Sequence, residues 1–260
     1  MQEVAQKAAA WALSKVGCPY SQANRTRENT FDCSSLVARA YAAQGKQWLG
    51  TGVPLSYQEV YDDEFQLLWP ETYGEIGKTL GGGEVLKRAN APGDLQFLCT
   101  DASTTRNNRI THVAMAVDER RIVHARGRAY GVCTNALTHY AGKVCAVVRY
   151  QPDAPLRQGM RGLRTLALQK RLNAQGAGLV EDGVYGPATE AACRAREGQV
   201  CIAGDRVHLR TGPGREYASV AIARRGDAFP AVSGEGWQPI LLDGTVRWVS
   251  KKYVRLETAQ

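Results

Sequence analysis

Along the first 44 residues the apolar positions recur at helical spacing. MQEVAQKAAAWALSKVG sets an alanine-rich stripe against Glu3, Lys7 and Lys15, which predicts an amphipathic helix ending near Gly17-Cys18-Pro19. Leu36, Val37, Ala40 and Tyr41 predict a second helix from Cys33 to about Gln44, with Asp32 at the N-cap and Gly45 at C′. Residues 46–92, with Trp48 and Trp69, show weak periodicity, and no element is assigned there. Shorter apolar runs follow: DLQFL (94–98), HVAMAV (112–117), RIVHA (121–125) and VCAVVRY (144–150), each predicted as a strand. Helices first and antiparallel strands after them make an α+β pattern.

Beyond residue 150 the pattern changes twice. QPDAPLRQGMRG (151–162) is polar and holds two prolines and two glycines, which marks a linker. Residues 163–196 are helical at both ends around the turn-rich EDGVYGP, and 198–257 are short alternating runs between Gly-rich turns, as in a small β-barrel. The expected boundaries are a catalytic domain at 1–152, a linker at 153–162, a helical module at 163–197 and a β domain at 198–260. A chain of 260 residues accommodates that division.

Composition narrows the class. The 44% hydrophobic and 22% charged content is that of a globular protein, and no run approaches the roughly 20 apolar residues that span a membrane. The charged N-terminal helix is not a secretory signal. The expectation is therefore a protein that stays cytoplasmic until release, or one whose signal has been removed. Net charge is +8, which favours anionic partners. Both nucleic acid and a bacterial wall are anionic, but no basic run with interleaved aromatics supports nucleic acid. Seven cysteines without a CxxC pair argue against a disulfide scaffold and a cysteine zinc site.

Cys33 is the informative cysteine. At the first turn of a helix a thiol faces unpaired N–H groups and the positive end of the macrodipole, which favour thiolate. From that position alone a buried structural cysteine remains an equal reading. Two of the four histidines, His112 and His124, lie on adjacent predicted strands in THVAMAVDERRIVHA. In a hairpin centred near Asp118 they are directly opposed, with Cβ atoms roughly 4.5–5.5 Å apart. One imidazole then deprotonates the thiol and the other orients the first. Two histidines paired structurally in a sheet is the alternative. No HExxH or similar spacing supports a metal site.

Residues 10–126 resemble the NlpC-type cell-wall peptidases, a papain-like family. The resemblance rests on CPY (18–20), FDCSSLV (31–37), PGDLQFL (92–98), THVAMAV (111–117) and IVHA (122–125), in the family's order. It implies a Cys33–His112–His124 triad, a Tyr20 hydroxyl near the nucleophile that helps hold the oxyanion or substrate, and stem-peptide contacts at Asp32 and Ser34. The implied reaction is hydrolysis of the peptidoglycan stem peptide between D-γ-glutamyl and a diamino acid, without a cofactor or metal. An amidase cutting between muramic acid and L-alanine with the same triad, and a non-catalytic wall-binding protein, are the alternatives. Two departures stand out: Ser35 replaces a glycine, and SQANRTRE (21–28) replaces a glycine-containing loop. Residues 46–92 and 100–110 are longer than the family's usual connections.

The rest of the chain resembles two accessory modules. LRTLALQKRLNAQG, a helix ending at Gly176, and DGVYGPATEAACRA, with Pro187 starting the last helix, resemble a small all-α, three-helix peptidoglycan-binding module. A helix–turn–helix reading leaves DGVYGPAT without a purpose. VHLRTGPGREYASVAIARRGD (207–227), GW (236–237) and TVRWVSKKYV (245–254) resemble a small all-β, SH3-like bacterial domain. Trp237, Trp248 and Tyr253 are its candidate wall-binding residues, although some of them are expected to fill so small a barrel. The implied partner is the bacterial wall, with no nucleic acid and no membrane. A catalytic domain followed by binding modules fits a phage-type lysin.

Overall fold

The computed structural model describes residues 2–88, 90–101, 103, 107–196, 199–230, 237–242 and 245–257. It forms two compact units, Met1–Ala154 with Arg161–Leu163, and Pro155–Met160 with Arg164–Gln260.

The first unit contains α1 (Gln2–Leu13), α2 (Cys33–Ala42), α3 (Ser56–Glu59), β1 (Phe65–Trp69), α4 (Gly83–Arg88), β2 (Leu95–Leu98), β3 (His112–Ala116), β4 (Arg121–Gly127), β5 (Gly131–Ala136) and β6 (Val144–Tyr150). The strands form one antiparallel sheet in the order β1-β6-β2-β3-β4-β5. Helices precede the sheet and pack on it, α2 against β3 and β4 and α1 against α2 and β4. Ala114 and Ala116 join Leu86, Leu98, Ile122, Leu137, Val144 and Val147 in a buried cluster. Every β3 side chain is buried, so this strand reads in the sequence as a continuous apolar run instead of an alternating one.

Local chemistry sets the limits of α2. Asp32 accepts the Ser35 N–H at 2.7 Å while Ser35 Oγ accepts the Asp32 N–H at 2.9 Å, a reciprocal capping box. Leu36, Val37, Ala40 and Tyr41, the positions picked out by periodicity, are fully buried. At the far end Gly45 N–H bonds Ala42 O and Lys46 N–H bonds Tyr41 O, with Gly45 at φ +91°. That bond pair is the Schellman motif, and its left-handed position suits glycine. The Tyr41 hydroxyl donates to Gly93 O at 2.7 Å, tying α2 to the turn before β2. A Cβ on Gly93 would lie 2.6 Å from Ala5 Cβ, so glycine lets α1 pass close over that turn. Next to it Asp94, 1% exposed, receives a two-pronged bond from Arg149 on β6 at 2.8 and 2.7 Å.

Residues 46–92, unassigned from the pattern, are held by a buried charge cluster. Lys46 Nζ lies 2.8 Å from Asp62 and 3.3 Å from Glu64, beneath the Trp48 ring. Trp48 stacks on Phe65 of β1, which pairs with β6 at Phe65↔Tyr150.

The β3–β4 hairpin corrects one expectation. Its register is Met115↔Val123 and Ala116↔Ile122, centred on Glu119 and not on Asp118. His112 and His124 are therefore diagonal neighbours, not directly opposed. The turn lacks glycine because Asp118 Oδ1 accepts the N–H groups of Arg120 and Arg121, each at 2.8 Å.

α5 (Leu163–Ala174), which belongs to the second unit from Arg164 onward, ends at Gly176 (φ +81°), and α6 starts at Pro187 and runs to Arg196. Three helices were expected here, and the described residues hold two. The DGVYGP stretch between them is fixed as a turn by Gln169. Its Oε1 accepts the Gly183 N–H at 2.8 Å, and its Nε2 donates to Asp182 Oδ1 at 2.9 Å and to Val184 O at 3.1 Å. Seven strands follow among the described residues: β7 (Gln199–Ile202), β8 (Val207–Arg210), β9 (Ser219–Ala223), β10 (Ala228–Pro230), β11 (Gln238–Leu242), β12 (Thr245–Val249) and β13 (Val254–Glu257). They make a three-stranded sheet, β10-β7-β13, and a four-stranded one, β11-β12-β8-β9. Their core is aliphatic, built from Val200, Ile202, Val207, Leu209, Ala223, Ile240 and Val249.

Candidate active site

Cys33 is the first residue of α2, and the packing of that helix on β3 brings its thiol to the start of the strand. The backbone N–H groups of Ser34, in its own helix, and of Val113, next to His112, lie near the sulfur and act to lower its pKa. Both groups and the helix N-terminus favour thiolate, yet desolvation outweighs them. Burial first, then the neighbouring Asp32 carboxylate, push the thiol up to about 12. His112 moves the opposite way, down to about 3, because burial, His124 and Arg126 all disfavour the imidazolium. The resting pair is thus neutral thiol and neutral imidazole, whereas helix position alone favours thiolate.

The two imidazoles meet despite their diagonal register. His112 Nε2 and His124 Nδ1 are 2.8 Å apart, with ring centroids at 5.0 Å. Diagonal cross-strand neighbours lie roughly 7–8 Å apart at the backbone, within reach of two rings. His124 is fully buried, and its Nε2 lies 2.9 Å from Asn135 Oδ1 on β5. The Tyr140 ring stands edge-on to both imidazoles, at 6.1 and 5.7 Å. This leaves His112 Nδ1 as the nitrogen available to a proton from sulfur.

The other expected residues surround Cys33. Tyr20 forms a single bridge with Phe31, and its phenol is raised by burial, then by Cys33 and Asp32, so it keeps its proton and can donate. Asp32 and Ser34 are buried and already engaged. Arg25 Nε lies 3.0 Å from Asp32 Oδ2, and its NH2 group donates to Ser34 Oγ at 2.8 Å. Arg25 belongs to the SQANRTRE loop, so this departure from the family pattern reaches the groups flanking the nucleophile. Glu59 on α3 is fully buried with no hydrogen-bond partner on either carboxylate oxygen. Burial, only partly offset by Arg25, raises it well above the usual carboxyl range.

Arg25, Glu59 and Asn135 were missed in the sequence. Arg25 had a signal in its loop; Glu59 sits in the unassigned stretch, and Asn135 on a strand too polar to be recognised. Cys18, Cys33, Cys99, Cys133 and Cys145 are free thiols. Among the described residues no group of three or more His, Cys, Asp or Glu is arranged to hold a metal.

In the second unit Trp237 and Tyr253 line one cleft of about 260 Å³ with Arg206, Arg210, Arg215 and Lys252. Trp248 lies on β12, opposite Pro239 and Arg210, and does not line it. None of the three aromatics is fully buried, so the expectation that some fill the core gives way to an aliphatic core. Gly236, before Trp237, lies outside the described residues, as do 102 and 104–106 of the 100–110 connection.

The α+β unit places a thiol at a helix N-terminus near the start of the strand that carries one of two hydrogen-bonded histidines. The sequence matches the NlpC/P60 family over residues 17–149, just over half of the chain. The chain belongs to that family of cysteine peptidases and hydrolases. Among solved structures it is similar to NlpC2 of Trichomonas vaginalis, at 26% identity over 56% of this chain and 46% of that one, with a TM-score of 0.39. NlpC1 of the same organism matches at 24% identity, over 56% of this chain and 44% of that one, with a TM-score of 0.40. The peptidoglycan hydrolase RipB of Mycobacterium tuberculosis matches at 19% identity, over 57% of this chain and 65% of that one, with a TM-score of 0.37. The chain spans just under half the length of the two Trichomonas proteins. A search of curated protein sequences gave no match.

Proposed function

We propose that this protein is a peptidoglycan hydrolase, a cysteine endopeptidase that cuts the stem peptide between D-γ-glutamyl and a diamino acid. The observation that carries the reading is the hydrogen-bonded His112–His124 pair beside the Cys33 thiol, in a chain of the NlpC/P60 family. In the reaction His112 Nδ1 takes the thiol proton as the sulfur attacks the amide carbonyl. The resting groups are neutral, so attack and proton transfer proceed together and no ion pair stands ready. The Cys33 backbone N–H, at the helix N-terminus, and the protonated Tyr20 hydroxyl receive the oxyanion. His112 then protonates the leaving amine, the C–N bond breaks, and water releases the acyl group from sulfur through the same base.

We assign the second unit to wall binding, its helical part as a peptidoglycan-binding module and its strands as an SH3-like domain. Trp237 and Tyr253 share a cleft with cations and are better placed for a ligand than Trp248. Holding the enzyme on an insoluble polymer raises the effective concentration of scissile bonds.

The test is digestion of purified peptidoglycan by wild type and Cys33→Ala, with mass spectrometry of the products. New free amines on the diamino acid are expected from wild type and no release from the variant, which still sediments with walls. Free L-alanine N-termini would instead establish the amidase reaction, and undiminished release by Cys33→Ala would overturn the thiol mechanism.

A further inference from the structure

The hydrogen-bond chain at the site ends on a residue with a one-way role. His112 Nε2 meets His124 Nδ1 at 2.8 Å, and His124 Nε2 meets Asn135 Oδ1 at 2.9 Å. A neutral imidazole carries one proton on two nitrogens, so each ring donates at one and accepts at the other. The carboxamide oxygen has no proton to give, which makes His124 Nε2 the donor and His124 Nδ1 the acceptor. His112 Nε2 must then carry the proton of the first ring, and His112 Nδ1 is left with a free lone pair. The opposite amide orientation reverses every link: Asn135 Nδ2 donates, His124 donates from Nδ1, and His112 is protonated at Nδ1, where it cannot take a proton from sulfur.

We propose that Asn135 is a positioning residue that fixes the direction of this chain, holding both histidines as Nε2–H tautomers and leaving His112 Nδ1 as the base. Asn135 also ends the chain. When His112 takes up the thiol proton, its Nε2–H stays bonded to His124 Nδ1, and a proton shifted onto His124 finds only an amide oxygen beyond it. The charge remains next to sulfur, where the leaving amine needs it. A carboxylate in that place would draw the charge outward. Placement by the fold is firm: Asn135 is held opposite Ile122 on β4, two residues from His124, by the β4–β5 ladder. The groups around the histidines are Arg126 on β4 and His139 and Tyr140 after β5, with the Cys33 thiol from α2 near the backbone N–H of Val113, next to His112. Among these, Arg126 disfavours the charged form of both rings, and His139 that of His124.

The inference rests on Cys33 and His112 being the reacting pair, and its test needs no wall substrate. Imidazole tautomers are read by 15N NMR of the full chain labelled at histidine, and base strength by the pH profile of Cys33 alkylation with iodoacetamide. Wild type is expected to show Nε2–H at both His112 and His124. In Asn135→Leu the tautomers become mixed and alkylation at neutral pH slows by about tenfold or more, part of the roughly 10²–10⁴-fold that a positioned base supplies. Asn135→Asp keeps the acceptor and so restores both tautomers, but its charge stabilises imidazolium and moves the acid limb of the profile to higher pH. A merely structural role would not distinguish Asp from Leu in this way. An Nδ1–H proton on His124 in wild type would overturn the proposal, as would unchanged tautomers in Asn135→Leu. If Asn135→Leu fails to fold, wild type and Asn135→Asp still decide it. A chain that shows these tautomers but releases no wall fragment would refute the hydrolase reading and leave this one standing.

Discussion

At the scale of single residues, the site sets helix electrostatics against desolvation. A helix N-terminus contributes roughly 0.3–1 kcal/mol at an exposed site, whereas burial moves a pKa by up to several units at about 1.4 kcal/mol each. Cys33 and His112 follow the larger effect, the thiol up to about 12 and the imidazole down to about 3. Stability must then depend on pH in two directions. Unfolded, His112 binds a proton below about 6.5, and folded only below about 3, so the stability it contributes is complete above about 6.5 and is lost as pH falls through that window. Cys33 is the reverse: unfolded it loses its proton near 8.5, folded only near 12, so its contribution is lost as pH rises above about 8.5. Urea midpoints for His112→Gln are expected to fall less steeply than those of wild type between pH 7 and 4, and those for Cys33→Ala to fall less steeply between pH 8 and 10. Parallel slopes in variant and wild type would refute the neutral resting pair.

At the scale of elements, the buried Lys46–Asp62–Glu64 cluster shows how the long connection after α2 is held. Removing one member of a buried ion pair typically costs about 3–5 kcal/mol, because the remaining charge stays desolvated. Lys46→Met is therefore expected to lose stability of that order in urea titrations at pH 8. Burial pushes Asp62 up to about 7 even against Lys46, so below that pH it can protonate instead of standing unpaired. The loss should shrink by pH 5, and an equal loss at both values would show that Asp62 does not titrate in this range. The same cluster explains what the sequence concealed. Helix α2 was legible because its cap, its buried stripe and its Schellman glycine are all local, lying between Asp32 and Lys46. Strands β2, β3, β4 and β6 were legible as apolar runs. Strand β1 is held by side chains distant in sequence, and β5, GVCTNA, is half polar because Asn135 faces a histidine. The hairpin turn lacked glycine and hid an Asp118 side-chain turn, so its centre was misplaced by one residue. Cys33, His112 and His124 were named from the sequence, whereas Asn135, which the hydrogen-bond chain reaches beyond them, was not.

For the whole molecule, the basic balance finds a location in the second unit. Arg206, Arg210, Arg215 and Lys252 line the cleft that holds Trp237 and Tyr253, while Asp205, the one acid among its described lining residues, pairs with Arg225 at 3.2 Å. A site built this way suits a carboxylate- or phosphate-bearing polymer with apolar surface to lay against the rings, and bacterial walls supply both anions. Single exposed charge pairs contribute roughly 0.2–1 kcal/mol, so two together are needed for about a tenfold change in affinity. Cys33→Ala in the 260-residue chain, expected to leave its target undigested, is the suitable background for measuring retention on purified walls. Adding Arg215→Gln and Lys252→Gln is expected to weaken retention about tenfold at low salt, and the difference should fade as salt shortens the Debye length from about 10 Å at 0.1 M to about 3 Å at 1 M. Walls stripped of phosphate polymers separate the two anions: retained binding points to stem-peptide carboxylates, and lost binding to phosphodiesters. Retention indifferent to both substitutions and to salt would mean that the second unit holds the wall, if at all, through another surface.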